Sequence, residues 1–213
     1  MNVRKSLALI ASSSLFCSAA ALAASIDMDD PRRSLGREDN VRIDAQLVSD
    51  TVSGGTPIGV TYQIQNLSTE PIAVADKLSS ATYDSDTRTI TFAIGAEVPT
   101  DGNMPHMIVI APGEKKVLRT AATPAINVAA MRTAFEQSPR FVQVKVTILR
   151  DLEPFLPLIQ NQRPTVQQRL SDELFEQWFE HADTIFLNAV PVSWSGRSRM
   201  SPTDVERRSM RTH

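Results

Sequence analysis

Apolar and polar residues alternate along most of the central part of the chain. The alternation is regular in four runs, residues 41–47, 58–64, 90–94 and 142–148. A repeat of two is typical of strands that turn one face to a core and the other to water. Clusters of Gly, Pro, Asn, Asp and Ser separate these runs, and such residues favour turns. The pattern therefore predicts a mainly β chain of short strands.

Shorter patterns predict three further strands. Residues 106–110 form a short apolar run, Pro112 and Gly113 make a turn, and residues 115–119 return antiparallel to that run. The last strand is predicted over residues 186–194, where Pro191 places it at an edge or a bulge because proline lacks a backbone donor.

Two segments have the periodicity of helices instead. The first, near residues 124–137, starts at a proline that suits the first helical turn and ends before another proline. The second, over residues 165–182, has apolar residues at every fourth position and charged residues between them. This spacing predicts an amphipathic helix that is capped by Thr165 and buries Leu170, Leu174 and Trp178.

Short strands without a regular alternation of strand and helix favour an antiparallel sandwich over a parallel sheet. The segment VTYQIQN, from Val60 to Asn66, is followed by a turn and by Pro71-Ile72-Ala73-Val74. This arrangement resembles the B–C strand pair of bacterial extracytoplasmic immunoglobulin-like and fibronectin-III-like domains, in which a turn like Ala111 to Glu114 also recurs. The resemblance covers residues 40–150. It implies an immunoglobulin-like β-sandwich and no particular activity.

The first 23 residues have the three parts of a secretory signal peptide. Arg4 and Lys5 form a positive start, an apolar stretch rich in Ser and Ala follows, and Ala21-Leu22-Ala23 matches the cleavage pattern. We therefore expect cleavage near Ala23 and a periplasmic or secreted mature protein. The apolar stretch is too short to span about 30 Å of hydrocarbon comfortably, and we expect no transmembrane segment after cleavage.

The rest of the chain is predicted to fold as one domain between two tails. Residues 24–39 mix charges with few large apolar groups and are expected to be a flexible N-terminal tail. Residues 40–195 hold the predicted strands and helices and form a single β-sandwich domain. Residues 196–213 contain five arginines and two acidic residues and are expected to be a flexible, basic C-terminal tail.

Cysteine content and charge exclude several functions. The single cysteine, Cys17, lies in the leader, so the mature chain has no disulfide, thiolate metal site or cysteine nucleophile. Removal of the leader leaves 20 Lys and Arg against 24 Asp and Glu. A mildly acidic chain has no electrostatic footprint for nucleic acid.

The chain lacks the short motifs of common catalytic sites, and it has three histidines, of which His213 is the last residue. His181 falls in the second predicted helix and is expected at its charged surface. Glu97 and Glu153 are single carboxylates with no visible partner, so no acid–base pair is predicted. We therefore expect no enzyme activity and no cofactor. A hydrolase that uses His106, with residues that meet only in space, is an alternative.

One cluster suggests a metal. Met104, His106 and Met107 combine two thioethers with an imidazole, a soft set of donors suited to copper. In an extended strand Met104 and His106 share a face and Met107 points away. The favoured interpretation is that no metal binds, that the methionines pack and that His106 is exposed. A periplasmic copper-binding or copper-delivery protein is the alternative.

The favoured hypothesis for function follows from the predicted export, the predicted sandwich and the missing catalytic motifs. We expect an exported, non-catalytic module that binds a protein or another component of the cell envelope. The sequence does not identify that partner.

Overall fold

A computed structural model describes residues 26–27, 29–126, 138–163 and 168–195. These residues form a mainly β structure with two short helices, α1 (Leu156–Gln160) and α2 (Asp172–His181). The predicted fold class is confirmed. The strands are β1 (Arg33–Glu38), β2 (Val41–Leu47), β3 (Thr51–Ser53), β4 (Ile58–Asn66), β5 (Ile72–Val74), β6 (Ser79–Asp84), β7 (Thr89–Ile94), β8 (Asn103–Met104), β9 (Ile108–Ile110), β10 (Lys115–Ala122), β11 (Phe141–Leu149), β12 (Gln168–Arg169), β13 (Ala182–Phe186), β14 (Val190–Pro191) and β15 (Ser193–Ser195).

The smaller of the two principal sheets has the strand order β1-β2-β4-β10, and all its pairs are antiparallel. Along β4 every second side chain is buried and the side chains between them are half-buried. The sheet thus has one face in the core and a second face that no other layer of the described structure covers.

The larger sheet has the order β6-β7-β11-β5-β9, with β13 and β14 also paired to β11. Most of its pairs are antiparallel, but β7 and β11 run parallel from Thr89 opposite Phe141 to Ile94 opposite Val146. The predicted antiparallel sandwich therefore includes a parallel strand pair inside its larger sheet. Parallel pairing is possible here because the chain between these strands passes through the smaller sheet and returns in the same direction.

Apolar side chains from both sheets meet in one core. Tyr62 and Ile64 of β4 lie in the same buried cluster as Phe92 of β7 and Val144 of β11. The two sheets also approach each other at their edges. The Thr120 hydroxyl of β10 donates to the Ser79 hydroxyl of β6 at 2.8 Å, and Ser34 of β1 donates to the carbonyl of Asn188.

A second core lies where α1 and α2 pack beside the larger sheet. Trp178 of α2 is 1% exposed, and its ring meets that of Phe155 edge to face at 5.7 Å. Its indole N–H donates to the carbonyl of Ala96 at 3.1 Å. The same buried cluster includes Leu152, Ile159, Leu170, Met104 and Met107.

The N-terminal boundary of the predicted domain is wrong. Residues 33–38, assigned to a flexible tail, form β1 and pair with β2 along its length. The hairpin turn uses Asp39 and Asn40, both with positive φ. An edge strand needs few apolar side chains: Ser34 and Gly36 face inward, and Arg33 is fixed by an ion pair with Asp44. These residues therefore lack the apolar alternation that signals a strand.

The second predicted helix is shorter than expected. It begins at Asp172 and is capped by Ser171, whose hydroxyl accepts from the N–H of Leu174, so Thr165 is not the cap. Residues 168–169 form β12 and pair with β8 instead. The predicted helix cannot run through Ser171 to the preceding residues, because an N-cap residue has an extended backbone. Residues 164–167 lie outside the described residues.

Two other strand predictions need correction. The expected hairpin of residues 106–110 with residues 115–119 does not form, since β9 pairs with β5 in the larger sheet and β10 with β4 in the smaller one. The turn between them carries the chain across the sandwich. The predicted strand 186–194 is divided among β13, β14 and β15.

The other domain assignments fall mostly where no structure is described. The signal peptide, the C-terminal tail and most of the predicted helix near 124–137 lie outside the described residues. Residues 124–126, which are described, have no helical structure.

Candidate functional site

The loop from Met104 to Met107, considered above as an alternative copper site, divides between the core and the surface. Met104 and Met107 are 8% and 3% exposed, and both belong to the second core. Gln162 holds the loop: its side chain accepts from the backbone N–H of Met107 at 2.8 Å and donates to the Met107 carbonyl at 2.7 Å. His106 is exposed. The predicted packing of the two methionines and the predicted exposure of His106 are confirmed.

The predicted shared face of Met104 and His106 is wrong, because β8 ends at Met104 and the following residues are not extended as a strand. The two sulfurs therefore lie inside the second core and the imidazole lies outside it. Within the described residues, no group of three or more His, Cys, Asp or Glu side chains is placed to hold a metal ion.

Neither described histidine has the surroundings of a catalytic base with its nucleophile. His106 Nδ1 lies 3.3 Å from Asp76 Oδ1, and no hydroxyl of a described residue bonds to the imidazole. His181 is half-buried, edge-on to the ring of Phe155 at 6.5 Å and 3.8 Å from an Asp151 carboxylate oxygen. The imidazole thus packs on an aromatic ring of the second core and also approaches the exposed carboxylate of Asp151, so His181 lies at the border between this core and the charged surface.

Glu97, expected to have no partner, lies in a polar cluster on the outer face of the larger sheet. Its Oε1 accepts from Lys145 Nζ at 2.6 Å and from the Thr184 hydroxyl at 3.3 Å. The Lys145 hydrogen bond lowers the pKa of the Glu97 carboxyl below its ordinary value. The cluster borders a cleft of about 280 Å³. A carboxylate whose pKa is lowered in this way is a weaker general base than a free carboxylate.

A broader feature than these clusters is the uncovered face of the smaller sheet, which we call the cationic face. Strand register places its outward side chains in three rows, each running across β1, β2, β4 and β10 in turn. The rows are Arg37, Arg42, Gln65 and Lys115; Leu35, Asp44, Gln63 and Val117; and Arg33, Gln46, Thr61 and Arg119. With neighbouring strands about 4.8 Å apart, a row is about 14 Å long.

Five of these twelve side chains are Arg or Lys, and one, Asp44, is acidic. Arg37, Lys115 and Arg119 are exposed, and among the described residues none of them makes an ion pair. Unpaired cations on one face concentrate positive potential there. The face is therefore basic although the chain as a whole has more acidic than basic residues.

Asp44 organises this face. It is 1% exposed, and it accepts hydrogen bonds from Arg33 and, at 3.0 Å, from Arg42 Nε. A buried carboxylate between two guanidinium groups holds both in fixed positions. Asp30, at the border of the face, is paired with Arg32 and accepts from Gln46 at 2.7 Å. The pKa of the Asp30 carboxyl is held well below its usual range, first by the Arg32 hydrogen bonds.

Apolar side chains lie among the cations. Leu35 and Val117, at the two ends of the middle row, are 39% and 37% exposed. Val48 is 64% exposed and lies over Gly59, the next outward position of β4, where an added Cβ would be 2.9 Å from a Val48 methyl group. The cationic face thus combines free positive charge with apolar groups in contact with water.

The sequence contains a signal for this face that charge counting misses. Arg42 precedes Asp44, and Lys115 precedes Val117 and Arg119, at every second position of predicted strands. The alternation shows that each set points outward, but only the pairing of β10 with β4 places the two sets side by side. Arg33 and Arg37 lie in the segment for which the sequence predicts a flexible tail.

Comparisons of this chain with protein-family models, curated proteins and solved structures gave no significant match. In the part of the chain that the structure describes, no helix has the length and apolar composition to cross a membrane.

Proposed function

We propose that this protein is an exported, non-catalytic β-sandwich module, of the immunoglobulin-like kind that the sequence resembles, and that it binds an anionic component of the cell envelope through the cationic face. The observation that carries the proposal is the uncovered sheet face with five basic side chains and one acidic one. Charge complementarity favours association with a negatively charged surface and sets its dependence on salt.

Binding is a better match to this surface than catalysis. The cations Arg37, Lys115 and Arg119 are exposed and are spread over the two edge strands of an open sheet. A flat arrangement of charge supplies affinity for an extended partner but does not exclude water or position a reacting group. Neither alternative from the sequence, copper binding or hydrolysis with His106, gains a specific observation in its favour.

The test is sedimentation of the predicted mature chain with cell-envelope fragments of the producing cells. The variant Arg37→Gln/Lys115→Gln removes two exposed charges and leaves glutamines of the kind already present on the face. A matched control, Lys77→Gln/Arg169→Gln, removes two exposed charges that lie outside the smaller sheet. We expect the first variant to sediment much less than the unchanged chain and the control to sediment like it.

Salt gives a second measure, because exposed charges are screened over about 10 Å at ionic strengths near 0.1 M. Binding through the face has to weaken steeply as salt rises. Equal sedimentation of both variants, or binding indifferent to salt, would overturn the proposal. Turnover in a hydrolase panel that is lost in His106→Ala would replace it with an enzyme.

A further inference from the structure

Resting on the proposed function, we infer that the anionic partner is a lipid surface, and that the cationic face lies flat against the negatively charged headgroups of a membrane. The twelve outward positions of the face combine positive charge with exposed apolar side chains. A lipid surface has a matching combination of anionic headgroups and apolar acyl chains, whereas the proposed function leaves the chemistry of the partner open.

Geometry favours a broad partner over a narrow one. Two rows that contain cations flank the middle row, and the cations reach both edge strands: Arg37 on β1, Lys115 and Arg119 on β10. Successive outward positions on a strand are about 6.8 Å apart, so the cations are distributed over an area of about 14 Å by 14 Å. An area of this shape matches many headgroups at once, whereas a single extended polymer chain would meet only one row.

The apolar side chains distinguish a lipid surface from a water-soluble polyanion. Leu35 and Val117 project from the middle row, and Val48 stands beside the third. Contact with a polysaccharide or an acidic protein loop would leave these groups against polar atoms. At a membrane interface, apolar groups enter the boundary between headgroups and acyl chains while the neighbouring basic groups stay with the headgroups.

Asp44 holds two cations of the face, Arg33 and Arg42, in fixed positions. Because its carboxylate fixes Arg33 and Arg42 from below, these guanidinium groups do not need to be ordered when a partner binds. Pre-ordered cations lose less conformational entropy on binding than free side chains do.

The size of the effect follows from the number of charges. A basic residue near an anionic membrane surface contributes about fivefold to partitioning, so removal of two such residues weakens binding about 30-fold. The side chain of Val117, already partly buried in the protein, contributes about two- to fivefold.

The experiment uses the predicted mature chain and sedimentation of vesicles made of phosphatidylglycerol with phosphatidylcholine, or of phosphatidylcholine alone. We expect binding to the anionic vesicles only, and a loss of about 30-fold in Arg37→Gln/Lys115→Gln with no such loss in Lys77→Gln/Arg169→Gln. Val117→Ser should weaken binding about two- to fivefold while every charge is kept.

The outcomes separate this inference from the proposed function. If the chain binds envelope fragments through the face but does not bind anionic vesicles, the lipid inference is overturned and the proposed function stands, with a polysaccharide or an acidic protein as the partner. If vesicle binding survives the loss of Arg37 and Lys115, the face is not the contact and the inference is also overturned. If Val117→Ser binds as the unchanged chain does, the apolar contribution is refuted. Circular dichroism of each variant checks that the fold is retained.

Discussion

Replacement of Trp178 by alanine tests whether the second core is part of the folded domain or an addition to its surface. Trp178 is 1% exposed, and its indole N–H donates to the Ala96 carbonyl at 3.1 Å. It therefore joins α2 to the segment that follows β7. Its ring also packs edge to face on Phe155 at 5.7 Å.

The expected loss of stability has two parts. Truncation of a buried tryptophan to alanine costs about 3–5 kcal/mol, through lost burial and the cavity that remains. The Ala96 carbonyl then stays buried without its donor, which adds about 1–3 kcal/mol. A total of about 4–8 kcal/mol is comparable with the whole stability of many domains, roughly 5–15 kcal/mol. Trp178→Phe, which keeps most of the ring, is expected to lose about 2 kcal/mol and provides a variant that folds.

Equilibrium unfolding in urea, followed by far-ultraviolet circular dichroism, measures both variants. Phe179→Ala is the matched control, because Phe179 is the next residue of the same helix and is 50% exposed. We expect that control to change stability by about 0.5 kcal/mol. If Trp178→Ala unfolds at the same urea concentration as Phe179→Ala, the second core does not stabilise the domain and the packing argument is refuted.

Three further predictions concern the sheets. Tyr62→Phe should raise the free energy of unfolding by about 1 kcal/mol, because the buried hydroxyl has no hydrogen-bond partner among the described residues; lower stability in thermal unfolding would contradict this. Gly95→Ala should lower it by about 3 kcal/mol, since φ is +90° and the new Cβ would lie 2.5 Å from a β11 carbonyl oxygen. Gly55→Ala is the matched control, because Gly55 also has positive φ but nothing lies near an added Cβ; it should lower the free energy of unfolding by about 1 kcal/mol. If the two glycine variants lose equal stability, the close approach of Gly95 to β11 is refuted. Because Lys145 lowers the pKa of Glu97 in the folded protein, the carboxylate stabilises the fold above its unfolded pKa and this contribution is lost as pH falls. Glu97→Gln should therefore reduce the fall in the free energy of unfolding as pH is lowered. If urea titrations at several pH values give the same pH dependence for the variant and the unchanged chain, the result counts against the ion pair.

The sequence pattern predicts the environment of some candidate site residues and misses contacts between residues that are distant in the chain. The packing of Met104 and Met107 and the exposure of His106 follow from residue type, because thioethers are readily buried and a lone imidazole is readily solvated. The polar cluster around Glu97 was not predicted, since its partner Lys145 is 48 residues away in the chain. Only the register of β11 with its neighbours brings them together.

The fold class and the inner face of each long strand follow from the order of the residues alone, because alternation of polar and apolar residues is a local property that burial enforces. Val60 to Ile64 on β4 and Val142 to Val146 on β11 are buried where the pattern predicts. The tertiary structure alone decided which strands are neighbours, that β7 and β11 run parallel, and that residues 33–38 add an edge strand. Strand pairing depends on backbone hydrogen bonds between distant segments, and the residues of one strand do not identify its partner. The cationic face has the same origin, for it exists only once four strands lie in register.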